Sequence, residues 1–157
     1  MHRVVLALDI GTSTGWAITR QPGRIESGRV MLRNGEREGE RMHAFRRWLS
    51  ETMTRVGDID FVTWEDAFRQ PGIATQVHHR LVGVLLEFCE RNRIGYLKVP
   101  TSTIKKFATG SGRADKPAMI AAAQAAGFRI RTDAHDEADA LHLLRYVLAN
   151  GVIEAAA

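Results

Sequence analysis

Four carboxylates occur in this 157-residue chain where the neighbouring residues are apolar or helix-forming. Asp9 and Glu65 each end an apolar run, and Asp136 and Asp139 lie one helical turn apart. Carboxylates gathered at one point raise one another's pKa unless cations lie between them. All-oxygen ligands of this kind favour Mg²⁺ or Mn²⁺. Because two such ions ~4 Å apart can activate water and stabilise a leaving oxygen, the four acids predict a site for phosphodiester hydrolysis.

The same acids also have structural interpretations. Acids in the first turn of a helix stabilise its dipole, which accounts for Asp133 more readily than for Asp139, deeper in the helix. A structural ion pair would account for either strand acid taken alone. Glu137 and His142 are predicted at solvated or rim positions.

Hydrophobic periodicity predicts five strands and five helices. The predicted strands cover 3–9, 14–20, 25–32, 58–65 and 94–99. The predicted helices cover 40–56, 73–92, 103–108, 116–126 and 135–149. This order indicates one α/β domain over residues 1–157, with a mixed five-stranded sheet and helices on both faces. If the fourth strand lies beside the first, Asp9 and Glu65 are neighbours.

Composition limits the partners and the compartment. A net charge of +4 and a pI near 9.7 indicate a polyanionic partner, with an arginine-favouring composition as the alternative. All four lysines lie between Lys98 and Lys116. The single cysteine, Cys89, predicts helix packing and excludes an internal disulfide or a cysteine zinc site. Because no stretch approaches the ~18 apolar residues of a membrane span, we expect a cytoplasmic protein without a membrane partner.

The order and spacing of these segments resemble the RuvC-type Holliday junction resolvases, within the ribonuclease H-like superfamily. The resemblance covers nearly the whole chain and implies a ribonuclease H-like sheet. The lysine-rich segment of this chain resembles the corresponding segment of this family, and it is not typical of the superfamily at large. The motifs that carry it are LALDIGTSTGWA from Leu6, the strand ending in Trp64-Glu65, IKKFATGSGRADK over 104–116, and DEADAL from Asp136.

The resemblance also implies roles for individual residues. It implies that four acids carry out catalysis and bind two Mg²⁺ ions, for which Mn²⁺ can substitute. These acids are Asp9, Glu65, Asp136 and Asp139. Lys105 and Lys116 match basic residues near the scissile phosphate, with ordinary phosphate contact as the alternative. Phe68 matches an aromatic residue that wedges into the junction, with surface packing as the alternative, and His135 is a candidate to help or replace Asp136. The nucleic-acid contacts expected on this basis are Thr12, Ser13, Phe68, Lys105, Lys106, Arg113 and Lys116.

The function that the resemblance implies is a Mg²⁺-dependent endodeoxyribonuclease that resolves four-way DNA junctions without a nucleotide cofactor. A junction with near two-fold symmetry needs two symmetric nicks, which two identical sites on a homodimer would supply. The helix over 73–92 is the expected dimer element because its apolar stripe is long. Compact members of this family also occur in phages, so host recombination and phage DNA processing both stay open.

Three other functions remain open on the sequence. The turn over 11–15 also resembles the first phosphate loop of sugar kinases in the actin-like superfamily. Those kinases bind ATP between two ribonuclease H-like domains, whereas 157 residues leave room for one. A nuclease of the same superfamily that cleaves flaps, forks or RNA–DNA hybrids would use the same acids. A non-catalytic DNA-junction-binding protein would keep the basic segment but would not need all four acids.

Overall fold

Five strands form one mixed sheet in this computed structural model, which describes residues 2–33, 35, 37–66 and 70–155. They are β1 (Val5–Asp9), β2 (Ser13–Gln21), β3 (Arg24–Met31), β4 (Phe61–Asp66) and β5 (Gly95–Pro100). Their order across the sheet is β3-β2-β1-β4-β5. The first three strands are antiparallel, whereas β1, β4 and β5 run parallel. This arrangement confirms the predicted α/β, ribonuclease H-like sheet.

Helices cover both faces of the sheet, as predicted. They are α1 (Glu40–Val56), α2 (Ile73–Asn92), α3 (Thr101–Thr109), α4 (Lys116–Ala125), α5 (His135–Ala149) and α6 (Val152–Ala155). Helices α1 and α2 pack on one face, and α3 to α6 pack on the other. Among the described residues, no helix combines the length and apolarity needed to cross a membrane.

The central strand, β1, is buried on both faces. Val5, Leu6, Ala7 and Leu8 have no exposed surface. Because successive side chains of a strand point to opposite faces, Leu6 and Leu8 pack with α1 and α2, whereas Val5 and Ala7 pack with α5. This two-sided burial explains the unbroken apolar run, and it places Asp9 at the carboxyl end of the most buried strand.

Helix α5 packs directly across β1 and β2 and carries two of the predicted acids. Ala138 and Ala140 are fully buried against the sheet, and such small side chains permit a close approach. Gly15 of β2 lies under the first turn of α5, where an added Cβ would collide with the backbone carbonyl of Asp136. The missing side chain of Gly15 therefore sets how closely the first turn of α5 approaches the sheet.

Replacing Gly15 by alanine is expected to lower the free energy of unfolding by about 1–3 kcal/mol, because the new methyl group forces α5 away from β2. Urea denaturation measures this change. The matched control is Gly39→Ala, because Gly39 has a helical backbone conformation and nothing lies within 4 Å of an added Cβ. Equal, small changes in the two variants would contradict the proposed close approach.

Three predicted boundaries differ from the structure by two residues or more, and the others agree to within one residue. Strands β1 and β4 begin at Val5 and Phe61, later than predicted. There the Val4 N–H donates to the Asp60 carboxylate at 2.7 Å, a side-chain bond that interrupts the regular strand ladder. Helix α3 begins at Thr101, two residues earlier than predicted, and the hydrophobic periodicity did not predict α6.

Candidate active site

Asp9 and Glu65 lie side by side at the carboxyl ends of two adjacent parallel strands. The register of β1 and β4 pairs Leu8 with Trp64, so the next residue on each strand is an acid. Glu65 is buried, and Asp9 is half-buried. In open α/β sheets, ligands bind in the crevice outside the carboxyl ends of the strands, so this pair marks the expected edge.

Asp139 of α5 joins this pair. Each of Asp9, Glu65 and Asp139 has a carboxylate oxygen within 4.8 Å of the corresponding oxygens of the other two. We call these three residues the acidic triad. Residues from three elements far apart in sequence thus converge, because α5 packs across the centre of the sheet. Carboxylate oxygens at this spacing match the ligand chemistry of a hard divalent cation.

The surroundings of Asp139 disfavour a carboxylate that has no cation beside it. Burial and the negative charges of Glu65 and Asp136 raise the pKa of Asp139 to about 7. The positive charges of Lys105 and Lys116 oppose this increase in the pKa. Among the described residues, no group forms a hydrogen bond with the buried Oδ1 atom of Asp139. Because a buried acceptor without a partner is costly, a divalent cation at the acidic triad fits the residues present.

The fourth predicted acid, Asp136, is buried and contacts different partners. The Ser13 hydroxyl donates a hydrogen bond to its carboxylate, and Nε of Arg29 lies 3.6 Å from Oδ1 of the same group. The Glu137 N–H also donates to Oδ1, at 3.0 Å. The structure therefore brings three of the four predicted acids together and leaves Asp136 in an ion pair beside them. Ser13, predicted to contact DNA, lies against Asp136.

A cleft of about 560 Å³ opens at the acidic triad. Lys116 and His135 line one part of its wall, and Thr101 and Ser102 line another. Lys105 is near enough for its charge to lower the pKa of Asp139. Cations beside clustered carboxylates suit a substrate that carries phosphate groups. The structure thus places Lys105, Lys116 and His135 at the acidic triad.

The other predicted DNA contacts lie away from the cleft wall. Lys106 and Arg113 are exposed and do not line the cleft. Thr12 is exposed, and its carbonyl accepts a hydrogen bond from the Leu32 N–H at 2.7 Å. Phe68 lies outside the described residues, so its contact with DNA stays a prediction.

The cleft wall also includes residues outside the predicted set of site residues, among them Asp66 and Thr101. Asp66 follows Glu65 at the end of β4 and forms an ion pair with Lys98 of β5 at 3.3 Å. Thr101 follows the end of β5, and no described residue forms a hydrogen bond with its buried hydroxyl. Both positions are at the carboxyl ends of parallel strands, so the rule that points to Glu65 would also have pointed to them.

Of the two polar side chains of α5 that were predicted at solvated or rim positions, the structure contradicts one, His142. His142 is fully buried, and its Nε2 lies 2.9 Å from the Met119 carbonyl of α4. Burial lowers the pKa of His142, so the ring is neutral and joins α5 to α4. Glu137 is half-buried and accepts a 2.7 Å hydrogen bond from the Ser27 hydroxyl of β3.

Cys89 is buried in α2, as predicted, and burial raises its pKa to about 12.

Comparison with solved structures defines the fold class. The chain is similar to Thermus thermophilus RuvC in complex with a Holliday junction substrate, with a TM-score of 0.77 at 18% sequence identity over 97% of this chain and 98% of that chain. A second Thermus thermophilus RuvC structure matches with a TM-score of 0.72 at 20% identity, over 94% and 96% of the two chains. No family model and no curated protein matches the sequence. The chain therefore has a RuvC-type fold over nearly its whole length.

Proposed function

We propose that this protein is a divalent-metal-dependent endonuclease that resolves four-way DNA junctions. The observation that carries the proposal is the acidic triad at the carboxyl ends of the central strands. The fold supports it, because a RuvC with this fold has been captured on a Holliday junction substrate. The lysines beside the cleft and the pI near 9.7 support a polyanionic substrate.

The acidic triad would hold the metal. We assign Mg²⁺ to it, with Mn²⁺ as a substitute, because Asp9, Glu65 and Asp139 offer only carboxylate oxygens. Two bound ions would lower the pKa of a water molecule and stabilise the leaving oxygen of the phosphodiester. Asp136 stays in the proposed ligand set because it lies one turn before Asp139. To bind an ion, its carboxylate would exchange its present hydrogen bond and ion pair for the metal.

The basic side chains of the cleft would act on the substrate phosphate. Lys116 lies in the cleft wall, where its ammonium group would stabilise the negative charge that builds up during hydrolysis. Lys105 would add to this positive potential. His135 lines the same cleft, and we assign it a supporting role there, because the Asp136 carboxylate is engaged with Ser13 and Arg29.

Lys116→Ala is expected to lower the single-turnover cleavage rate by about 10²-fold, because a cation at the developing charge is lost. The dissociation constant for a junction should rise much less, because one phosphate contact among many is removed. Lys106→Ala is the matched control, since Lys106 is exposed and does not line the cleft. A fall in affinity without a fall in single-turnover rate would make Lys116 only a phosphate anchor.

We propose that the active form is a homodimer. A four-way junction has near two-fold symmetry, and a two-fold dimer presents two identical sites to it. Helix α2 is the proposed contact element: Val82 and Leu86 on it are only partly buried, and Ile73 at its start is 80% exposed. Sedimentation of the protein with and without junction DNA tests this proposal, and a monomer at micromolar concentration in both samples would contradict it.

A panel of DNA substrates distinguishes junction resolution from the other nuclease functions that the fold could support. Four-way junctions, flaps, forks, RNA–DNA hybrids and linear duplex are incubated with the protein in Mg²⁺ and in EDTA. We expect Mg²⁺-dependent cleavage that is fastest on the four-way junction. Faster cleavage of flaps or hybrids would support the proposed metal site but would indicate a different class of substrate. Tight junction binding without cleavage in Mg²⁺ or Mn²⁺ would indicate a binding protein.

A further inference from the structure

A second depression lies beside the acidic cleft, between α4 and the segment 129–135. Its volume is about 420 Å³, within the range of small-ligand sites. We call it the α4 groove, and its lining includes Lys116, Pro117, Ala121, Gln124, Thr132 and His135. None of the sequence motifs pointed to Gln124 or Thr132.

The α4 groove adjoins the acidic cleft. Lys116 and His135 line both depressions. A nucleic-acid strand whose scissile phosphate lies at the acidic triad would therefore have a neighbouring nucleotide within reach of the groove. Of the residues that the structure describes as lining the groove, none is acidic, whereas the cleft wall includes four carboxylates. The groove thus lacks the charge that would repel a DNA strand leaving the cleft.

The chemistry of the α4 groove suits a nucleobase. Pro117 and Ala121 offer an apolar surface, and unstacked bases pack on such surfaces while their edges form hydrogen bonds. Gln124 is held in place, because its Nε2 donates to the Ile130 carbonyl at 3.0 Å. This bond leaves the Gln124 carbonyl oxygen as an acceptor for a base edge, and the Thr132 hydroxyl offers both a donor and an acceptor.

We propose that the α4 groove binds one unpaired nucleobase of the substrate strand, next to the scissile phosphate, and thereby sets a base preference at that position. The inference rests on the proposed function, since the strand in the groove is the strand held in the cleft. Gln124, through its acceptor oxygen, would favour a base with an exocyclic amino group at that position.

The test is cut-site sequencing on mobile four-way junctions whose branch point migrates through a randomised tract. For the native protein we expect one position near the cut at which bases are discriminated by about tenfold. Ala121→Trp fills the groove and should reduce that ratio to below about twofold, with unchanged Mn²⁺ affinity. Ala149→Trp is the matched control, because Ala149 is also exposed and lies at the far end of α5. It should keep the native profile.

An unchanged cut-site profile in Ala121→Trp, or a native profile without base preference, would overturn the inference. If Ala121→Trp does not fold, Gln124→Leu is the second variant. It removes the acceptor oxygen of Gln124 and should reduce the discrimination between bases in the same way. A second readout needs no cleavage: 2-aminopurine placed next to the cut position should change its fluorescence when native protein binds in Ca²⁺, and not when the tryptophan variant binds. Failure of the proposed function would be distinct, because the native protein would then cleave no junction.

Discussion

Asp9→Asn is expected to lower cleavage of a four-way junction by about 10³-fold or more, because one carboxylate of the acidic triad is lost and metal stabilisation worth several kcal/mol goes with it. Junction affinity in EDTA should stay near the native value, because removing a negative charge does not weaken binding to a polyanion. Single-turnover kinetics measures the rate, and fluorescence anisotropy measures the affinity.

Asp58→Asn is the control for this result. Asp58 is exposed and lies before β4, at the opposite edge of the sheet from the cleft, so the same change of charge should leave the rate unchanged. Native turnover in Asp9→Asn would refute the acidic triad as the catalytic site. Loss of junction binding together with activity would instead indicate that the substitution damages the fold, which thermal unfolding would reveal.

The second large effect is a pH dependence of stability in the metal-free protein. Asp139 has a pKa of about 7 when folded, because of burial and the neighbouring Glu65 and Asp136, against 3.8 ordinarily. Since the folded pKa is raised, the folded state retains a proton that the unfolded chain releases between these values. The stabilisation is present below about pH 4 and is lost as the pH rises through about 7. The full difference is on the order of 4 kcal/mol.

Urea unfolding in EDTA at about pH 5 and about pH 8 measures the larger part of this difference, about 3 kcal/mol, because the unfolded chain has already released the proton at pH 5. We expect the native protein to be less stable at the higher pH, and Asp139→Asn to lose most of that difference. Because the metal competes with the proton, Mn²⁺ affinity should fall about tenfold for each pH unit below 7. Asp58→Asn again serves as the control. The same pH dependence in native protein and Asp139→Asn would contradict the environment assigned to Asp139.

Much of the fold could be predicted because its elements bury regular apolar stripes. The helices over 40–56, 73–92 and 135–149 begin and end where the periodicity places them. Glu65, near the carboxyl end of β4, lies beside Asp9 because parallel strands bring their carboxyl ends together. These features depend on local sequence and on the strand order, and both can be inferred from the pattern.

The contacts that depend on side-chain direction could not be predicted. Asp136 and Asp139 share a helix face, yet only Asp139 lies in the acidic triad, because Ser13 and Arg29 hold the other carboxylate. Histidine is a polar residue, yet His142 is fully buried, because its Nε2 lies within hydrogen-bond distance of the Met119 carbonyl of α4. Each outcome depends on a partner more than twenty residues away, which helical spacing does not reveal.

Strand mapping of a labelled mobile four-way junction, incubated in Mg²⁺ or in EDTA, tests the central claim most directly. We predict paired nicks at symmetric positions in two opposing strands, present in Mg²⁺ and absent in EDTA. Cleavage that persists in EDTA would contradict a metal site at the acidic triad. Equal cleavage of linear duplex and junction would contradict the assignment of this RuvC-type fold to junction resolution.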